Sequence, residues 1–179
     1  MASLDVKFIE WNESQTPGTY DGTEVTTLNF GSTDTADLTP SSAKITAGDN
    51  SYSKHIKFQF SGSFTSITNA KVYKSAGTYE SNVDILYSGS SQKTGAPSQT
   101  TITTNDGSIP TSLPSYNNLV LRVGSTTDAG LPNPSDVHSS PGYYSGSRSD
   151  ITVWQLTTTE SSPAGAGAQL THTIQYDVS

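Results

Sequence analysis

Three histidines, abundant serines, scattered acids and a tyrosine pair are the residues of this chain that could carry chemistry. His172 falls in an alternating run, Leu170, His172, Ile174, Tyr176 and Val178, so a satisfied core or inter-strand role is favoured over catalysis there. His55 begins an apolar run beside Lys54 and Lys57 and is expected at a solvated edge. His138 lies near Asp128 and Asp136, a grouping that could hold a cation. Its spacing matches no established ligand pattern, so no metal site is assigned. Serine is too common for a Ser/His/Asp coincidence to mean anything, and no Gly-x-Ser-x-Gly elbow occurs. The acids sit in turns or on polar strand positions rather than as an opposed pair across a cleft. Asp106, in Asn105-Asp106-Gly107, is explained by turn geometry, since all three residue types tolerate positive φ. Gly142, Gly146, Gly165 and Gly167 precede no helix and form no phosphate loop. The sequon Asn12-Glu13-Ser14 is read as chance. No catalytic residue, cofactor or metal is therefore expected, and the chain is read as a structural or binding domain rather than an enzyme.

The remaining candidates are surfaces. Tyr143 and Tyr144, between Gly142 and Gly146, are amphipathic rings on a glycine-flanked backbone. They suit a protein interface or stacking on a sugar, or else they fold back over an open sheet edge. Trp11 and Trp154 are read first as core or edge-covering residues. Trp11 joins Tyr143 and Tyr144 as a candidate partner contact.

These residues must be positioned by strands. The chain has 179 residues, enough for one domain, and is 31% hydrophobic and 14% charged. Both fractions fall below the usual ~45–50% apolar and ~25% charged. Ser and Thr, roughly a third of the residues, take up the difference. Disordered chains pair high charge with few β-branched residues. Here Thr, Val, Ile, Tyr and Phe recur in short alternating runs, which points to strands with many exposed positions.

Leu4–Trp11 places Leu4, Val6 and Phe8 on one face and Ile9 and Trp11 on the other, a strand with a bulge or one covered on both faces. Short strands are expected over Val25–Phe30 and Ala43–Ala47. Clearer ones follow at Ile56–Phe60, Phe64–Lys74 and Val83–Tyr87, then Thr100–Thr104, Leu119–Val123, Ile151–Leu156 and Leu170–Val178. Residues 1–15 form an N-terminal strand or arm, and 124–149 form a long polar loop. Residues 150–178 form a C-terminal hairpin. No segment keeps helical spacing over three turns. The expected fold is all-β: a single antiparallel β-sandwich or jelly roll over 1–179, with long polar loops.

Net charge is −7, with nine Lys and Arg scattered singly, so the basic footprint of a nucleic-acid binder is missing. No apolar run approaches the ~20 residues that cross a bilayer. With no cysteine there is no disulfide or thiolate site. The first residues lack the basic and apolar regions of a secretory signal, so none is expected.

The run Phe64 to Tyr73 (Phe-Thr-Ser-Ile-Thr-Asn-Ala-Lys-Val-Tyr) resembles strands of tailed-bacteriophage accessory virion proteins. So does the C-terminal part, through Ser149-Asp150-Ile151, Trp154-Gln155-Leu156, Pro163-Ala164-Gly165 and Thr173 to Asp177. The resemblance covers about a third of the chain, and its motifs are structural rather than chemical. These are head decoration, minor capsid or tail proteins. The resemblance implies a β-sandwich or jelly roll that docks on major capsid or tail proteins as a homo-oligomer. It implies a virion location after assembly in the host cytoplasm, and the scattered basic residues and short apolar runs leave no direct nucleic-acid or membrane contact expected. A carbohydrate-binding or adhesin module, using Tyr143, Tyr144 and Tyr79 on a host glycan, is the alternative.

Overall fold

The computed structural model describes residues 4–12, 23–62, 67–88, 97–102, 152–163 and 169–178. Every regular element among them is a strand. In chain order these are β1 (Leu4–Trp11), β2 (Thr23–Val25), β3 (Lys54–Gly62), β4 (Ile67–Ala76), β5 (Val83–Ser88), β6 (Thr152–Thr158) and β7 (Thr171–Val178). Five strands make one antiparallel sheet in the order β2-β1-β3-β6-β5, and β4 pairs with β7 in a second.

Alternation explains the core. In the large sheet Phe8 faces Phe58, Ile56 faces Thr152, and Tyr87 faces Trp154, so period-2 side chains converge on one face. Ile56, Phe58, Ile85, Tyr87 and Trp154 form the buried cluster. Its rings meet at angles: Phe8 to Phe58 at 5.1 Å, and Tyr87 to Trp154 edge-on at 5.7 Å. Trp154 Nε1 donates to Thr152 Oγ1 at 2.7 Å, and that hydroxyl donates to the Ile56 carbonyl at 3.1 Å, so the one polar atom of the indole is satisfied. The small sheet meets this cluster through Leu170, which packs on it, and His172, whose ring lies 5.2 Å from Trp154.

β1 pairs with β3 without a register break from Leu4–Gly62 to Trp11–His55, so it carries no bulge against β3. It is instead covered on both faces at one end, where Ile9 and Glu10 are both buried. The bulges lie in the β4–β7 ladder, between Thr68 and Lys71 and between Lys74 and Ala76.

Several expectations are corrected. The C-terminal hairpin does not form: β6 pairs with β3 and β5, and β7 with β4. β6 buries residues on both faces and so takes an interior place between two strands. For the same reason His55 is not at a solvated edge; β3 is flanked by β1 and β6, and His55 is buried. The second strand covers Thr23–Val25 rather than Val25–Phe30. The chain bends after Val25, and Leu28 and Phe30 pack on the core from irregular backbone. Ala43–Ala47 is turn and irregular chain; Ala43 N bonds the Pro40 carbonyl and Asp49 N the Thr46 carbonyl. Residues 100–102 are not a strand either. The expected strand at 119–123 and the loop 124–149 lie outside the described residues.

Candidate functional site

Two features of the large sheet stand out once the core is in place. The first is a buried polar cluster at the end of the core face. Glu10 continues the alternation of Val6 and Phe8, and Lys54 precedes Ile56 and Phe58 on theirs, so both charges point where apolar residues would be expected. Their side chains are each 1% exposed, and Lys54 Nζ donates to Glu10 Oε1 at 2.6 Å. Nζ also donates to the Thr35 carbonyl at 2.9 Å. Asn12, two residues beyond Glu10 and also buried, donates from Nδ2 to the same Glu10 Oε1 at 3.1 Å and to Asp34 Oδ1 at 2.7 Å. Buried charges survive only when paired and hydrogen-bonded. This cluster meets that condition by drawing on β1, β3 and the 34–35 backbone together. Because Asn12 Nδ2 is held between two carboxylates in the interior, the sequon there does not present an open acceptor.

The second feature is a shallow open groove of 450 Å³ between Asp5–Phe8 of β1 and Glu24–Thr26. β2 pairs only with Phe8, Ile9 and Glu10. Among the described residues, Leu4–Lys7 therefore has no strand on that side. Lys7 Nζ bonds Glu24 Oε2 across the groove at 2.9 Å, and this pairing raises the lysine's pKa above its ordinary value.

On the opposite face of the sheet, Gln155 is fully buried and anchors residues 97–102. Its Nε2 donates to the carbonyls of Ser51, Ser98 and Thr100 at 2.9, 3.3 and 3.1 Å, and Oε1 accepts from Ile102 N at 3.0 Å.

Of the residues singled out in the sequence, Trp11 ends β1 opposite His55. Tyr143 and Tyr144, and the trio Asp128, Asp136 and His138, lie outside the described residues. His172 occupies the seam between the sheets. Burial first, and Lys74 opposite it second, lower its pKa to about 4. Its Nε2 has no hydrogen-bond partner among the described residues, so the expected satisfied histidine is instead a partly orphaned one. Tyr79 does not offer an open ring: Lys74 Nζ sits 5.3 Å from its centroid. Its hydroxyl is buried and pushed up to about 12, by burial and then by Asp84. Among the described residues no three His, Asp or Glu side chains come close enough to hold a metal ion, and no helix is long and apolar enough to cross a membrane. Sequence reasoning does not pick out Glu10 or Asp34, reads Asn12 only as part of a sequon, and places Lys54 only beside His55.

No protein-family model matches the chain, nor does any curated protein or solved structure.

Proposed function

We propose that the chain is an accessory virion structural protein, a β-sandwich of jelly-roll type that docks as a homo-oligomer on a lattice of capsid or tail proteins and stabilises it. The half-open edge of β1 carries this reading. Among the described residues the outer backbone of β1 is paired over only three residues, and such an edge is a template for an added strand from a partner, with main-chain bonds giving affinity and flanking pockets giving selectivity. The groove beside Asp5–Phe8 supplies such a pocket. Asp5, Lys7 and Glu24 around it discourage indiscriminate edge pairing, as charged edges do. The contact of His172 and Leu170 with the core of the large sheet supports a two-layer arrangement. Docking then stabilises the lattice because the chain binds assembled subunits better than free ones. The covered ring of Tyr79 weakens the sugar-binding alternative.

Particles assembled with and without the gene test this. The chain is expected in purified particles by mass spectrometry, and its omission is expected to lower the temperature at which they disrupt. Absence of the chain from purified particles refutes the proposal.

A further inference from the structure

The buried cluster at the end of the core face has the parts of a self-acylating site. The geometry points to an intramolecular amide bond between Lys54 Nζ and Asn12 Cγ, formed after folding with Glu10 as acid–base catalyst.

The register brings the reactants together. Trp11 pairs with His55 at the end of the β1–β3 ladder, where Asn12 follows Trp11 and Lys54 precedes His55. Opposed Cα atoms in such a ladder lie ~4.5–5.5 Å apart. One carboxylate oxygen, Glu10 Oε1, contacts both the nucleophile, Nζ at 2.6 Å, and the leaving group, Nδ2 at 3.1 Å. That is where a single proton shuttle must sit. The Thr35 carbonyl steadies the amine, and Asp34 Oδ1 holds the carboxamide at 2.7 Å. Glu10, Asn12 and Lys54 are all buried, so water competes poorly as nucleophile and the product is shielded from hydrolysis. Fixing an amine beside an amide replaces a bimolecular encounter, the largest advantage available to so unreactive a pair.

The step balances without another reactant. The Lys54 ammonium gives one proton to the Glu10 carboxylate, and the free amine adds to Asn12 Cγ. In the tetrahedral adduct Glu10 delivers that proton to Nδ2 and the Cγ–Nδ2 bond breaks. Ammonia departs, and Glu10 takes the surplus proton from Nζ. The products are a secondary amide, ammonia and a neutral Glu10. No oxidation occurs, and a buried ion pair is exchanged for neutral groups, which low-dielectric surroundings favour.

The purified full chain, shown to be β-rich by circular dichroism, is denatured and weighed by mass spectrometry, then digested and sequenced by tandem spectra. The expected result is a mass short by one ammonia and a branched peptide joining Asn12 to Lys54. Glu10→Gln and Lys54→Arg are expected to restore the missing mass. A folded wild-type chain of full mass overturns the proposal. So does an ammonia deficit that maps elsewhere, for instance to a succinimide at Asn105 that opens in mild base. The wild-type peptide map decides by itself, and a variant that fails to fold does not alter what that map shows.

Discussion

Replacing His172 should remove a specific part of the acid sensitivity of this fold. Its imidazole is packed edge-on to Trp154 and faces Lys74, and its pKa is lowered to about 4 from an ordinary 6.5. The folded chain thus holds His172 neutral where the unfolded chain protonates it. A lowered folded value means its contribution is complete above the unfolded pKa. That contribution is lost as pH falls from about 6.5 toward 4, and is flat below that. The full difference amounts to about 3 kcal/mol at ~1.4 kcal/mol per unit, with about 2 kcal/mol already gone at about pH 5. Against a total of ~5–15 kcal/mol this is measurable. Urea unfolding between about pH 7.5 and pH 5, above most carboxylate titrations, reads it directly. His172→Phe keeps a ring against Trp154 and should flatten the slope relative to wild type over that interval. Lys74→Met should raise the His172 pKa by a smaller amount, since repulsion is the lesser of its two causes. The same slope in wild type and His172→Phe, or an NMR titration of His172 near 6.5, refutes the reasoning.

Other perturbations have clear directions. Trp154→Ala empties the centre of the ring cluster and should cost ~3–5 kcal/mol in denaturant unfolding. Gly31→Ala should cost about 1–3 kcal/mol by the same assay, because a Cβ there would stand 2.7 Å from the Ala43 carbonyl oxygen and 2.9 Å from its Cβ. Gln155→Leu removes every side-chain bond that Gln155 makes to Ser51 and 97–102. It should speed hydrogen exchange at Ile102 N well before global unfolding, at a cost of ~1–3 kcal/mol for each buried group left unpaired. Glu24→Gln breaks the exposed pair with Lys7 and should leave the urea midpoint unchanged, as isolated surface pairs contribute little.

The strands that read most clearly in the sequence are those whose alternation the core uses. Ile56 and Phe58 in β3, and Ile85 and Tyr87 in β5, are buried as their parity predicts. Parity says which face a residue takes but not which strand lies beside it. For that reason β6 and β7, neighbours in sequence, look like partners and are not. Alternation also makes Leu28 and Phe30 read as strand. They reach the core equally well from a bent segment whose backbone pairs elsewhere, as Gly31 O does with Tyr52 N at 2.9 Å. The buried cluster has a faint signal. Glu10 holds the next core-facing place after Phe8, and Lys54 the one before Ile56. A charge on the apolar parity of a strand at each site calls for a partner. Their separation along the chain hides that the two are partners, because only the β1–β3 register brings them together. Trp154 is legible as core from its apolar neighbours, whereas the burial of His55 depends on β3 being interior.

The placement of that pair also explains how a chain with so little apolar content fixes one register. Strands of Ser, Thr and alternating apolar residues tolerate slippage, and a slip of one residue moves every side chain to the other face. For β1 against β3, such a slip carries Glu10 off the core face and leaves Lys54 buried without its carboxylate. Breaking a buried pair in this way costs ~3–5 kcal/mol, a large share of the stability of a small domain. A slip of two keeps the faces but pulls Glu10 about two residues, near ~7 Å, along the strand from Lys54. Neither alternative preserves the 2.6 Å contact, so the ion pair selects the native pairing even where hydrophobic burial alone would be nearly indifferent. The same selection brings Asn12 to the Glu10 oxygen that Lys54 also contacts. The register that makes the charges tolerable is therefore also the one that puts an amine and a carboxamide on a single carboxylate oxygen.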